Sequence, residues 1–265
     1  MKVAILIPAR FASSRFPGKP LVELRGAGGT SKSLIQRSFE AAQRTSCASS
    51  VHVVTDDDRI ASAAAALGAS VIMTSPDCRN GTERCAEALP QLGDVDLVVN
   101  LQGDALLTPG YFVDALAERM RNDPAAQVAT PAIRLRPHEV RLLQAEEEAG
   151  RVGGTTVVSD SAGHALYFSK RLIPYVSDAA LEADFSPVRL HVGVYAYRPA
   201  ALREYMRTDV SELEELEGLE QLRFLAAGVP VSVVEVSRPS FALRELNNPE
   251  DIGPIEQALV EAGLE

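Results

Sequence analysis

An α/β fold with a mainly parallel sheet and a β-rich inserted subdomain is predicted by three observations. Short β-branched runs alternate with Ala/Leu-rich helical patterns through the first half of the 265 residues. The first run, Val3–Ile7, is apolar at every position, as a central strand covered on both faces must be. The runs of the second half are less regular and read as antiparallel or mixed strands near 130–200.

In order, Val3–Ile7, Val51–Thr55, Ser70–Met73 and Leu97–Leu101 read as parallel strands. Helices are expected between and after them at Ser33–Thr45, Asp57–Leu67, Thr82–Leu89 and Pro109–Arg121. The glycine-rich stretch Gly26–Ser33 superficially resembles a phosphate-binding P-loop. The position before Lys32 is Ser31 where that motif needs glycine, and the stretch does not directly follow a strand, so it is set aside as a nucleotide motif. Further strands are expected at Val128–Ile133, Thr155–Ser159, Ala165–Phe168, His191–Tyr197 and Val231–Val236. Helices are expected at Glu215–Ala227 and from about Pro249 to Ala262, and Glu146, Glu147 and Glu148 read as a solvated helix face. No linker, repeat or low-complexity stretch divides the chain, so one domain over 1–265 is expected.

Composition excludes several function classes. A formal charge of -10 leaves no basic face large enough to neutralise a nucleic-acid backbone. The cysteines Cys47, Cys78 and Cys85 are odd in number and lack CxxC spacing, which argues against a disulfide framework or zinc site and for a reducing, cytoplasmic setting. No apolar stretch approaches a membrane span, and a soluble protein is expected.

Charge is concentrated where the first strand ends. Arg10, Arg15 and Lys19 lie just beyond it, with Gly18 and the small Ser13 and Ser14 allowing backbone N–H groups to approach a ligand. Ligands of open α/β sheets sit beyond the carboxyl ends of the strands, and three cations there match the charge of a polyphosphate. Asp104 follows the strand Leu97–Leu101 in the same way and is placed to hold Mg²⁺, a hard cation that takes one or two carboxylates plus phosphate oxygens. Arg79–Arg84 opens a helix whose Thr82 hydroxyl and free N–H groups suit a base or phosphate. Lys170 and Arg171 end another strand and His191 begins the next. An oxyanion attack on an α-phosphorus fits this set, because such an enzyme mostly positions reactants and neutralises charge, work for Arg10, Lys19 and a metal at Asp104.

Seven ordered segments, IPARFASSRFPGKPL, RNGTERCAEAL, VVNLQGD, ALYFSK, LHVGVYAYR, LEQLR and NNPEDI, resemble the motif set of the CMP-Kdo synthetases, the 3-deoxy-manno-octulosonate cytidylyltransferases. The resemblance runs from Val3 to about Ile252. It implies a Rossmann-like nucleotidyltransferase, usually a homodimer, that uses CTP and Mg²⁺ to attach CMP to a small anionic acceptor and release pyrophosphate. It implies that Arg10, Ser13, Arg15 and Lys19 hold the triphosphate, and that Pro8, Ala9, Gln102 and the segment with Arg79, Gly81, Thr82 and Arg84 surround the cytidine. Asp104 would bind metal. Tyr167, Lys170, His191, Glu220 and Gln221 would line the acceptor pocket, in a subdomain about 130–200 that also serves acceptor binding and dimerisation.

The departures from that pattern are specific. A second metal-binding aspartate, usual in a Val-Asp-Thr-Pro-Glu-Asp segment, is replaced by Asn247 in Leu246–Asp251. The usual Gln-Gly-Asp-Glu-Pro becomes Gln102–Leu106, an Asn-x-Val-Lys segment becomes Gly153–Thr156, and Ser-Arg-Ala becomes Ser169-Lys170-Arg171. A pocket that loses two carboxylates and gains Arg171 is more positive, although a lysine is also lost at Thr156, so the acceptor is expected to be either a Kdo-like ulosonic acid or a small phosphonate such as phosphonoformate. Glu245 or Asp251 would stand in for the second metal carboxylate in an ordinary Kdo enzyme. The alternative is a catalytically inactive relative that binds nucleotide for regulation.

Overall fold

The computed structural model describes residues 1–265 apart from Ser14, so that one serine of the cationic loop lies outside the described residues. Strand β1 (Val3–Ala9) leads through the loop of Arg10 to Val22 into a small hairpin, β2 (Glu23–Arg25) and β3 (Ser31–Ser33). The glycine-rich stretch is the turn of this hairpin, and Ala27 N–H donates to Leu264 O at 2.8 Å, so its small residues serve packing against the C-terminal segment. Sequence reading does not anticipate the hairpin.

Helix α1 (Leu34–Gln43), β4 (Ser50–Thr55), α2 (Asp58–Ala66), β5 (Ser70–Met73), α3 (Gly81–Ala88), β6 (Leu97–Leu101) and α4 (Gly110–Asn122) then follow the expected alternation. The second half adds β7 (Val128–Arg134), α5 (Pro137–Glu148), β8 (Thr156–Ser159), β9 (Ala165–Ser169), β10 (Arg189–His191), β11 (Val194–Tyr197), α6 (Pro199–Arg207), α7 (Glu212–Glu217), α8 (Leu222–Ala226), β12 (Val231–Glu235) and α9 (Ile252–Glu261).

One mixed sheet carries all the strands except the small hairpin, in the order β5-β4-β1-β6-β11-β7-β10-β8-β9, with β12 alongside β7. Its first four strands are parallel, as is the β12–β7 pair, and β11, β10, β8 and β9 join antiparallel. The strands of 130–200 thus extend the same sheet. Odd and even residues of β1 and β6 feed opposite cores: Val3, Ile5, Ile7, Leu97 and Val99 pack against α1, α2 and α4, while Leu6 and Val98 pack with α3, α6 and α8. This two-sided burial is why both strands read as continuous apolar runs.

Three elements depart from expectation. The run His191–Tyr197 is two strands, because six residues from His191 to Ala196 face four from Ala132 to Ala129 across β7, which makes a bulge at Val192 and Gly193. The helix expected over Glu215–Ala227 is broken by Gly218, whose φ of 60° ends α7 before α8 begins. Helix α6, opening at Pro199, was not anticipated. No helix among the described residues is long and apolar enough to cross a membrane.

A third apolar cluster fixes the loops that matter most. Leu106 and Leu107, directly beyond Asp104, pack with Leu24, Leu34, Leu246 and the α9 residues Ile255 and Leu259. Residues 245–248 and the exit of β6 are held side by side by this contact.

Candidate active site

The loop after β1 is wound around Phe11. Phe11 O accepts hydrogen bonds from Ser13 N–H and Gly18 N–H, each at 3.0 Å, and the Arg59 guanidinium stacks 3.3 Å from the ring centroid. Gly18 has a φ of 72°, and a Cβ there would lie 3.0 Å from Phe11 Cζ, so the turn requires glycine twice over. Ser13 Oγ accepts from Phe16 N–H at 3.4 Å and so serves the turn. The winding presents Arg10 and Arg15 to solvent and turns Lys19 inward.

Lys19 Nζ donates to Asp104 Oδ2 at 2.6 Å, joining the exits of β1 and β6 in a partly buried ion pair. Their closeness has a backbone cause: a Cβ on Gly103 would stand 2.6 Å from Pro8 O, so only glycine lets the two exits meet. Arg15 donates to Asn247 Oδ1 at 3.2 Å, while Arg10 has no partner among the described residues. Three of the expected triphosphate and metal residues, Arg15, Lys19 and Asp104, therefore converge with Asn247.

Glu245 stands in the same cleft, a placement that sequence reading reached only as one of two alternatives. Its carboxyl, partly screened from solvent within the cleft and facing the Asp104 charge, is pushed up to about 7, although the residue as a whole keeps an exposed side. The other alternative, Asp251, is already occupied: its Oδ2 accepts the N–H groups of Asn247 at 2.9 Å and Asn248 at 2.7 Å. Two carboxylates in one cleft form a hard, oxygen-only donor set, which fits Mg²⁺. No group of three His, Cys, Asp or Glu side chains forms among the described residues, so such a cation would complete its shell with ligand oxygens.

The segment at the start of α3 lies opposite. Asn80 caps the helix by accepting from Glu83 N–H at 2.9 Å, and Gly81 is its first residue. Thr82 corrects the sequence expectation of free donors: its N–H is given to Glu220 Oε2 at 3.0 Å, and its hydroxyl lies 2.9 Å from Tyr197 OH. Arg84 is a buried strut tied to Asp56 at 3.3 Å and to Thr74, so its guanidinium is not presented to a ligand. Arg79 is exposed and ion-paired with Glu83 at 2.7 Å. Gln102 donates to Glu220 Oε1 at 3.1 Å, and burial raises the Glu220 carboxyl above its ordinary value.

The expected acceptor wall is brought together in part. Tyr167 OH donates to Glu217 Oε1 at 3.4 Å and Lys170 N–H to Glu217 Oε2 at 3.0 Å, so α7 braces the end of β9. Gln221 Oε1 accepts from Tyr195 OH at 3.0 Å. Arg171 departs from the expectation of an added pocket cation: it lies on the surface just past the end of β9, paired with Glu147 of α5 at 3.0 Å. Glu146, on the same solvated helix, pairs with Arg151 just beyond its C-terminal end.

His191 Nε2 lies 2.9 Å from Thr130 Oγ1, whose own proton goes to Val194 O at 2.8 Å. The imidazole must therefore donate through Nε2, which leaves Nδ1 as an acceptor. Burial drives its pKa down from 6.5 to about 3. The folded state disfavours the imidazolium, so this group's stabilisation is complete above 6.5 and is lost as pH falls toward about 3. In urea titrations His191→Asn should remove up to about 1.4 kcal/mol per pH unit of acid sensitivity in that window. An unchanged slope would disprove the neutral buried assignment.

The profile of a family described as cytidylyltransferase matches residues 4–235. The chain belongs to the cytidylyltransferase family. This cytidylyltransferase is 39% identical over 264 residues to the 3-deoxy-manno-octulosonate cytidylyltransferase of Maricaulis maris, covering 99% of both chains. It is 37% identical over 262 residues to the 8-amino-3,8-dideoxy-manno-octulosonate cytidylyltransferase of Shewanella baltica, covering 98% of this chain and 99% of the relative. A solved CMP:2-keto-3-deoxy-manno-octonic acid synthetase complexed with CTP superposes with a TM-score of 0.84 at 33% identity, covering 99% of this chain and all of the other. The chain is a CTP-dependent nucleotidyltransferase of the CMP-Kdo synthetase type. Its cationic loop, Asp104 and the α3 start stand at the carboxyl ends of the parallel strands, the edge at which open α/β sheets take ligands in general.

Proposed function

We propose that this cytidylyltransferase transfers CMP from CTP to a small anionic acceptor with Mg²⁺ as cofactor, and that it acts as a homodimer. The observation that carries the reading is the Lys19–Asp104 pair at 2.6 Å, flanked by Arg10 and Arg15 at the exits of β1 and β6. An acceptor oxygen attacks the α-phosphorus, the bond to the bridging oxygen breaks, and pyrophosphate leaves with the electron pair. Lys19, Arg10 and Arg15 hold the triphosphate and offset the charge that grows on the leaving group. Mg²⁺ held by Asp104 with Glu245 would supply further charge neutralisation at the phosphate oxygens. Residues Pro8, Ala9, Gln102 and Arg79–Thr82 enclose the nucleoside, and Tyr167, Lys170, His191, Glu220 and Gln221 face the acceptor.

The names of the relatives favour an ulosonic acid. Two of them, at 39% and 37% identity, are named for different octulosonates, so overall similarity does not select the acceptor. A second reading, a small phosphonate such as phosphonoformate, is favoured by the wall at Gly153 and Gly154. The room left by these glycines is filled, since a Cβ would meet Leu143 Cδ2 at 2.6 Å and Leu190 Cδ1 at 2.7 Å. Thr156, where the related enzymes usually carry lysine, is buried and donates to Arg171 O at 2.6 Å. A closed wall with one cation fewer suits an acceptor smaller than an eight-carbon acid.

Pyrophosphate release from CTP and Mg²⁺, with Kdo, other ulosonic acids and small phosphonates in separate reactions, tests both readings. Turnover with Kdo selects the ulosonic acid, and turnover with phosphonates alone selects the smaller acceptor. Silence with every acid would overturn the anionic-acceptor reading. Sedimentation equilibrium at twice the chain mass is the expected result for the dimer, and a monomer would refute it.

A further inference from the structure

Behind the start of α3 lies a buried charged network that the transfer reaction does not itself use. Arg223, 1% exposed, donates to Glu214 through Nε and Nη2, both at 2.6 Å, and reaches Glu83 Oε1 with Nη2 at 3.2 Å. Its guanidinium lies 4.0 Å from the Tyr205 ring centroid. Glu83, 4% exposed, accepts in turn from Arg79 N–H and Arg79 Nε, each at 2.8 Å. Glu83 is thus clasped by Arg223 from within the fold and by Arg79 from the cleft side.

The same strap of chain, residues 211–223, anchors the rest of the turn. Asn80 donates to Tyr205 OH at 3.0 Å, and Tyr205 OH faces Glu214 Oε1 at 3.3 Å and Glu220 O at 3.2 Å. Glu220 takes the Thr82 N–H and the Gln102 amide. Every side of the Arg79–Thr82 turn therefore leads back to one strap through buried polar groups.

Buried ion networks seldom add stability over a well-packed apolar replacement, and their best-attested use is to specify one arrangement. Arg offers a planar fork that Lys cannot copy, and here the fork spans two carboxylates from different helices. We propose that Arg223 is a positioning residue for nucleotide recognition: through Glu83 it sets the conformation of the Arg79–Thr82 turn, and so the affinity for CTP, without touching substrate. The inference rests on the assignment of that turn to the nucleoside.

The test is CTP binding by isothermal titration calorimetry to the full chain, with CTP alone, for Arg223→Lys, Glu83→Gln and Arg79→Met. Glu83→Gln keeps the size of the side chain and the Asn80 cap, so it reports even where Arg223→Lys does not fold. Both variants should weaken CTP binding about ten-fold, the loss of one charge-assisted contact in a preorganised turn, with turnover at saturating CTP within about two-fold of the parent. An unchanged affinity in folded Glu83→Gln overturns the positioning role, as does a fall in saturated turnover with affinity intact. Arg79→Met separates the two claims. If it too leaves CTP affinity unchanged, the turn does not face the nucleoside and the assignment beneath the proposal fails; if it alone weakens binding, the assignment stands and the role of Arg223 falls.

Discussion

Asp104→Asn should reduce Mg²⁺-dependent pyrophosphate release by about a thousand-fold or more while leaving CTP affinity equal to or tighter than that of the parent. The asymmetry follows from the ion pair. Asp104 is the partly buried partner of Lys19 at 2.6 Å, and the neutral amide releases that ammonium toward the phosphates while removing the anionic oxygen that suits a hard cation. The volume is unchanged, and Leu106 and Leu107 keep the loop anchored in the apolar cluster beneath α9. The checks are pyrophosphate release across a Mg²⁺ titration and calorimetry with CTP. Undiminished turnover would place the metal elsewhere, and joint loss of binding and turnover would indicate that the loop itself had collapsed.

Lys19→Met should act on both steps. The methionine retains much of the apolar stem but takes away the cation, so CTP binding weakens, and the charge growing on the departing pyrophosphate loses a fixed partner. A fall of about a hundred- to a thousand-fold in kcat/KM is expected, the range seen when one preorganised donor is removed from an anionic transition state. A second effect has a distinct signature. Asp104 and Glu245 then share the cleft without the ammonium, so the two carboxylates repel more strongly and the Glu245 carboxyl, already up at about 7, rises further. Its titration, followed by carboxyl NMR in the absence of metal, should move upward in Lys19→Met. A fixed or lowered value would show that the ammonium does not act on this pair.

Much of the cationic end of the candidate site is legible in the chain because it depends on short-range pattern. A strand apolar on both faces must be central, a central strand must end at the ligand edge, and Arg10, Arg15, Lys19 and Asp104 follow two such strands within a few residues. The hairpin of Gly26–Ser33 shows where that logic stops, since glycines chosen for close packing and glycines chosen for phosphate share one composition.

The surroundings of Arg79–Thr82 and of Lys170–Arg171 are less legible, for two physical reasons. Lys170 and Arg171 both lie just past the end of β9 at the surface, and only the placement of α5 shows that Arg171 meets Glu147 there. Free donors at a helix start remain free only while nothing packs against them, and the Thr82 N–H is taken by Glu220 from 138 residues away.

Local pattern along the chain accounts for the α/β class, the central strands, the cationic loop and the place of Asp104 at a strand exit, because each is set by periodicity or by charge within a few residues of a strand end. Only long-range contacts set Glu245 beside Asp104, tie Asp251 to the Asn247 N–H, pair Arg171 with Glu147 and stand Arg223 behind the turn at Arg79. Those outcomes depend on which distant segments the sheet and its helices bring into contact, and burial and ion pairing act through that contact and not through spacing along the chain.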